Sequence, residues 1–181
     1  MRRSELEHLI RAAGRIAGER ELVVIGSQSV LGQFPDAPIA VLVSMEADLY
    51  PLSRPELADK IDGAIGESSV FHQTYGYYAQ GVGPETAVLP ARWRQRLVRI
   101  ENANTGGYAG LCLEVHDLAI SKYVAGREKD REFTRELARH AMTGKAILRK
   151  RLAATRLAPA MAKLVRGRIE RDFPQARGGR K

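Results

Sequence analysis

Two acids separated by one residue, Glu46 and Asp48, stand near the end of a largely apolar run at residues 39–51 (IAVLVSMEADLYP). Read as a strand, the run points Glu46 and Asp48 to one face and Ala47 and Leu49 to the other, with the two acidic Cα atoms roughly 6.5–7 Å apart. Carboxylates held side by side repel. A fold keeps such a pair mainly where a cation neutralises it, and closely spaced Mg²⁺ ions need hard oxygen ligands in this arrangement. The same residues also fit an amphipathic edge strand at 45–49 whose acids are simply solvated.

Other groups with chemical potential lie on either side. Gly26-Ser27 follows the short, β-rich, apolar run 22–25 and precedes Gln28-Ser29-Val30-Leu31-Gly32. A glycine there lets a second group approach the backbone. A serine opening a short helix offers a hydroxyl and free N–H groups to a phosphate, or serves as an ordinary cap. Glu85, just ahead of the apolar run 86–89, is a candidate third metal ligand or a solvent-facing turn acid. Lys122 falls on a helix expected at 117–125, capped by His116 or Asp117. Asp130 falls in the first turn of the next helix, where an acid also suits the macrodipole. Arg92, Arg94, Arg96 and Arg99 form a cluster that faces a phosphate or solvent.

The elements that must carry these groups are legible from periodicity and punctuation. Ser4 is read as the cap of a helix whose first turn carries Glu5 and Glu7 and whose apolar residues Leu6, Leu9, Ile10, Ala13 and Ile16 recur at helical spacing, with Gly18 at its end. Ser53-Arg54-Pro55-Glu56 starts another, ended by Gly66. The aromatic segment 71–82 (FHQTYGYYAQGV) suits a strand interrupted at Gly76. Residues 97–100 suit a strand, 101–110 a polar loop, and 111–115 a strand. Gly126 separates the Lys122 helix from the next, and basic helices are expected at 146–154 and 159–169. The expected organisation is a core at 1–142, basic C-terminal helices at 143–172 packed on it, and a flexible tail at 173–181.

Length, charge and cysteine usage bound the answer further. A chain of 181 residues can bury a real core. The net charge of +8 is uneven: residues 1–121 hold 11 Lys and Arg against 15 Asp and Glu, whereas residues 122–181 hold 18 against 6. The acidic part holds the candidate metal site. The basic part, 122–181, suits a polyanion such as a nucleic acid, or is a solvated helical surface. Cys112 is the only cysteine, so no internal disulfide forms. With no secretory signal visible and no membrane-spanning run, the expected compartment is the cytoplasm, with no membrane partner.

Gly-Ser after a first strand, Glu-x-Asp on a second, a helix-borne Lys and a later acid together resemble the nucleotidyltransferase (polymerase-β-like) superfamily. The segments VIGSQSVLGQFPDAP, SMEADLYP, GYYAQGVGPETAVLP and LEVHDLAISKYVAGREKD resemble a bacterial nucleotidyltransferase-like family of unknown function, distantly similar to abortive-infection nucleotidyltransferase toxins. The resemblance implies an α/β (α+β) fold, a small mixed sheet flanked by helices with a C-terminal basic helical region. It implies that Gly26 and Ser27 hold the triphosphate of an NTP, that Glu46 and Asp48 hold Mg²⁺, and that Lys122 and Asp130 complete the site. It further implies transfer of a nucleoside monophosphate to RNA, such as a tRNA end bound through residues 122–181, or to protein. A toxin–antitoxin setting would add a cognate partner protein. Glu46 stands where the superfamily has Asp, and the residues leave open a catalytically degenerate nucleotide- or nucleic-acid-binding protein.

Overall fold

Leu22, Val23 and Val24 are wholly shut off from solvent, as a continuous apolar run must be at the centre of a sheet covered on both faces. They form β1 (Glu21–Val24), flanked by β2 (Glu46–Pro51) and β5 (Ala109–Cys112). The edges are β3 (Tyr78–Gly81) beside β2 and β4 (Val98–Ile100) beside β5, giving the order β3-β2-β1-β5-β4. β1 runs antiparallel to β2 and parallel to β5, β2 runs parallel to β3, and β4 runs antiparallel to β5. These positions come from a computed structural model that describes residues 1–174.

Eight α-helices accompany the sheet among the described residues: α1 (Arg3–Ala17), α2 (Val30–Gln33), α3 (Ala58–Ile65), α4 (Val70–Tyr75), α5 (Val115–Ala125), α6 (Glu128–Arg139), α7 (Lys145–Ala153) and α8 (Pro159–Asp172). The chain is thus of the α+β class, a small mixed sheet flanked by helices. Leu6, Leu9, Ile10 and Ala13 of α1 bury the face that their spacing predicts, and Gly18 ends the helix in the left-handed region at φ 67°. Leu148 and Leu152 of α7 and Val165 and Ile169 of α8 join the same apolar cluster as the β1 residues. Phe173 packs against that cluster, and Lys145 Nζ donates to its carbonyl at 3.2 Å. Of the tail expected at 173–181, residues 175–181 lie outside the described residues.

Four local expectations are corrected. The strand read at 39–51 begins only at Glu46, because residues 39–41 form a 3-10 turn behind Pro38. Ile39 and Val43 stay 87% and 77% exposed, so the acids stand at the mouth of the strand, not its far end. The aromatic run read as a strand from residue 71 is helical up to Tyr75: Ser69 Oγ accepts from His72 N–H at 3.1 Å, and Gly76 closes α4 at φ 76°. The cap of α5 is Glu114, whose carboxylate accepts from His116 N–H at 3.2 Å, and not His116 or Asp117. The N-cap of α1 is Arg2, and Ser4 lies inside the helix.

Asp117 is fully buried, with a different task. Its carboxylate takes Arg96 Nε at 2.7 Å and Nη2 at 3.1 Å, and Arg151 Nε lies 2.9 Å away, so it joins α7 and the 93–96 turn to α5. Burial pushes this carboxyl up by more than the arginines pull it down. A buried charged cluster of this kind is weak evidence for stability against a packed apolar one, yet removing one partner strands the rest. Both arginine side chains are about one-fifth exposed and can rehydrate. Asp117→Ala should cost about 2–3 kcal/mol, below the 3–5 typical of a fully buried pair, measured by urea unfolding.

Candidate active site

The turn after β1 is built around Asp48. Ile25 N–H donates to Asp48 O at 2.9 Å, extending the β1–β2 ladder by one residue. At the next position, Gly26, a Cβ would collide with Asp48 Oδ2. Its φ is −77°, so glycine is required by the nearby carboxylate and not by the backbone. Ser27 then opens a 3-10 turn, Ser27–Ser29, held by Ser29 N–H to Gly26 O at 3.0 Å. Buried Gln28 donates to Ser44 O at 3.0 Å, fastening this turn to the residues that lead into β2.

Register places the rest of the sheet face. Glu46 pairs with Tyr78 and Asp48 with Gln80, so two acids and two polar residues of the edge strand share a face, while Ala47 and Ala79 are buried behind them. Tyr78 OH donates to Glu46 Oε2 at 3.1 Å. Burial first, then that bond, pushes the Tyr78 phenol up to about 12. Burial and the neighbouring Glu46 raise the Asp48 carboxyl, against a smaller opposing pull from Lys122, Lys129 and Arg127.

The opposite wall is the junction of α5 and α6. Gly126, left-handed at φ 63°, ends α5, and Arg168 of α8 donates to Tyr123 O and to Val124 O. Asp172, also on α8, accepts from Tyr123 OH at 2.9 Å and Thr134 Oγ1 at 3.0 Å. These contacts fix the helix end that carries Lys122. Asp130, buried, accepts from Arg127 N–H at 3.2 Å and Arg127 Nε at 2.7 Å, and lies 3.7 Å from Lys122 Nζ. Burial pushes its carboxyl up, but Arg127 and Lys122 outweigh that and hold it below the ordinary value. Lys129 reaches across to β2, 3.6 Å from Glu46 Oε1.

Ser27, Glu46, Asp48, Tyr78, Gln80, Lys122, Arg127, Lys129 and Asp130 thereby line one cleft of about 730 Å³. Glu85, in the 3-10 turn Pro84–Thr86, is exposed and is not part of its lining, although Thr86 and Ala87 are. Among the described residues no group of three or more His, Cys, Asp or Glu is placed to hold a metal ion. A family model described as a nucleotidyltransferase of unknown function (DUF6036) matches residues 4–163. The chain belongs to this nucleotidyltransferase family. Neither the curated proteins nor the solved structures give a match.

In this nucleotidyltransferase-family chain, Tyr78, Gln80, Arg127 and Lys129 are cleft residues that reading the sequence did not single out. The signal was there for the strand pair, in the polar-apolar-polar alternation Tyr78-Ala79-Gln80. The arginine cluster, by contrast, does not converge on the cleft. Arg96 is taken by Asp117, Arg99 by Glu21 and Glu101, and Arg94 lies 5.0 Å over the Trp93 ring. No helix among the described residues is long and apolar enough to cross a membrane.

The donor set fits magnesium. Mg²⁺ is bound through one or two carboxylates plus substrate phosphates, not by an all-protein cage. Glu46 and Asp48 supply two carboxylates, the second raised by burial and then by its neighbour Glu46, and the cleft leaves room beside them for phosphate oxygens.

Proposed function

We propose that the cleft binds a nucleoside triphosphate with Mg²⁺ and transfers its nucleoside monophosphate to an acceptor hydroxyl, releasing pyrophosphate. The observation that carries this reading is the seating of Asp48 on Gly26 beside Ser27, facing three cations, Lys122, Arg127 and Lys129, at the junction of α5 and α6. Glu46 and Asp48 would hold the ion, which when bound would supply positive charge against the triphosphate and favour deprotonation of the attacking hydroxyl. Ser27 offers its hydroxyl to the phosphates. Lys122 and Arg127, both held by Asp130, face charge that grows on the leaving phosphates, and being fixed in advance they need no reorganisation. Asp130 is thus a positioning residue on this reading.

The acceptor surface we assign to α7 and α8, within the +12 segment 122–181. Lys150, Lys163 and Arg166 are exposed there, whereas Arg151 is engaged by Asp117 and Arg149 by Glu170. Phosphate contacts position a nucleic acid without reading its sequence. Reversing Lys150, Lys163 and Arg166 to Glu should weaken RNA retention on filters and flatten its salt dependence by about one unit of log–log slope for each phosphate no longer engaged. An unchanged slope would remove RNA from this surface and leave protein as the acceptor class. The test of the reaction itself is label transfer from α-labelled NTPs to total RNA and protein with and without Mg²⁺. Absence of transfer with all four NTPs, together with nucleotide binding that persists, would favour the degenerate binder.

A further inference from the structure

Resting on the reading of the cleft as a nucleotide–magnesium site, we propose that it takes its nucleotide with a single divalent cation, the Lys129 ammonium standing where a second would bind. Two-metal sites place their ions roughly 3.5–4 Å apart and need carboxylates that give an oxygen to each. Here both Glu46 oxygens already have protein partners: Oε2 accepts from Tyr78 OH at 3.1 Å, and Oε1 faces Lys129 Nζ at 3.6 Å. Lys129 belongs to α6 and Glu46 to β2, so this pair spans the cleft.

The ion pair alone would not exclude a metal. The Lys129 side chain is 66% exposed, and an exposed pair contributes little. The poverty of further acid ligands decides the matter. In the register of β2 and β3 the neighbour of Asp48 is Gln80, an exposed neutral amide that adds an oxygen and no charge. Asp130 gives its oxygens to Arg127 and faces Lys122. Glu85 lies outside the lining. Among the described residues, Asp48 is left as the one acid of the sheet face without a protein cation or hydroxyl bound to it, so that the pair Glu46 and Asp48 serves one ion and not two.

The test is a Mn²⁺ titration followed by electron paramagnetic resonance, with a non-hydrolysable α,β-methylene analogue of each NTP present. Wild type should bind one Mn²⁺ per protein–nucleotide complex. Lys129→Met, at an exposed position, should tighten that ion by about two- to fivefold, the worth of an exposed pair. The double variant Lys129→Met with Gln80→Glu should bind two. A wild type that binds two ions, a Lys129→Met variant with unchanged affinity, or a double variant that stays at one overturns the single-ion assignment. Asp48→Asn separates the layers: if it binds Mn²⁺ and analogue as wild type does, the metal reading of the cleft falls as well.

Discussion

Asp48→Asn abolishes transfer and yet raises the melting temperature: that is the paired result expected of a carboxylate kept for chemistry at the expense of the fold. The amide keeps the size and one oxygen but loses the charge that a divalent ion needs, and a loss of at least about 10³-fold in kcat is expected from label transfer. The stability gain follows from the raised Asp48 carboxyl. Its ordinary value is 3.8, and in the folded chain it holds its proton to higher pH. Between the two values the folded state binds more protons than the unfolded one, so Asp48 makes stability fall as pH rises through that window, with its full cost present above it. Asp130 has the opposite sign: its lowered carboxyl stabilises above 3.8 and loses that contribution as pH falls through its folded value. At neutral pH, Asp48→Asn should raise the melting temperature by about 2–4 °C, the shift that about 1 kcal/mol produces in a chain of this length. The variant should also flatten the decline of stability above pH 4. A variant that lost stability and kept activity would sink the reading.

Gly26→Ala is the second large effect, and it reaches the same carboxylate from outside. Alanine is acceptable to the backbone at φ −77°, so the added methyl acts only by pushing on Asp48 Oδ2. Either the carboxylate swings away from the cleft or β1 and β2 separate at Ile25–Asp48. The first costs catalysis, since a displacement of about 1 Å costs about 10²-fold in rate. The second costs stability, typically 1–3 kcal/mol for an overpacked site. The expectation is a fall in kcat of about 10²-fold with a smaller loss of stability, because the side chain has an open cleft to move into. Gly63→Ala, where an added Cβ meets nothing within 4 Å, is the matched control. Equal activity of the two variants would separate Gly26 from the site.

The elements whose residues agree at every level were legible from the sequence. α1 carries an apolar stripe and a terminal glycine, β1 a continuous apolar run followed by the Gly26-Ser27 turn, and Glu46 and Asp48 share one face as their spacing requires, though at the mouth of β2 and not at the end of a longer strand. Errors arose where local preference and context diverge. Aromatic Phe71 and Tyr75 favour strands on average, yet Ser69 and Gly76 cap that stretch as a helix, and the cap pair outranks the β preference. Ile39 and Val43 look like strand interior but are exposed near the acids. The alternation Tyr78-Ala79-Gln80 puts the two polar residues on one face, but that this face meets Glu46 and Asp48 is set by strand register, which no local pattern states. Lys129 is invisible for the same reason: its contact with Glu46 crosses from helix to sheet.

β1 leaves the sheet and β2 enters it at one rim, since the two strands are antiparallel neighbours joined by Ile25 to Asp48. The ladder, and not the chain between, sets how Ser27 stands against the acids. Residues 34–43 are consequently a closed excursion whose two ends are pinned, and its contour length is decoupled from the spacing of the groups it connects. Grafting extra residues between Pro35 and Asp36, both exposed and ahead of buried Ala37, should leave the serine and both carboxylates in place, making that point a natural one for fusing a probe or a reporter peptide.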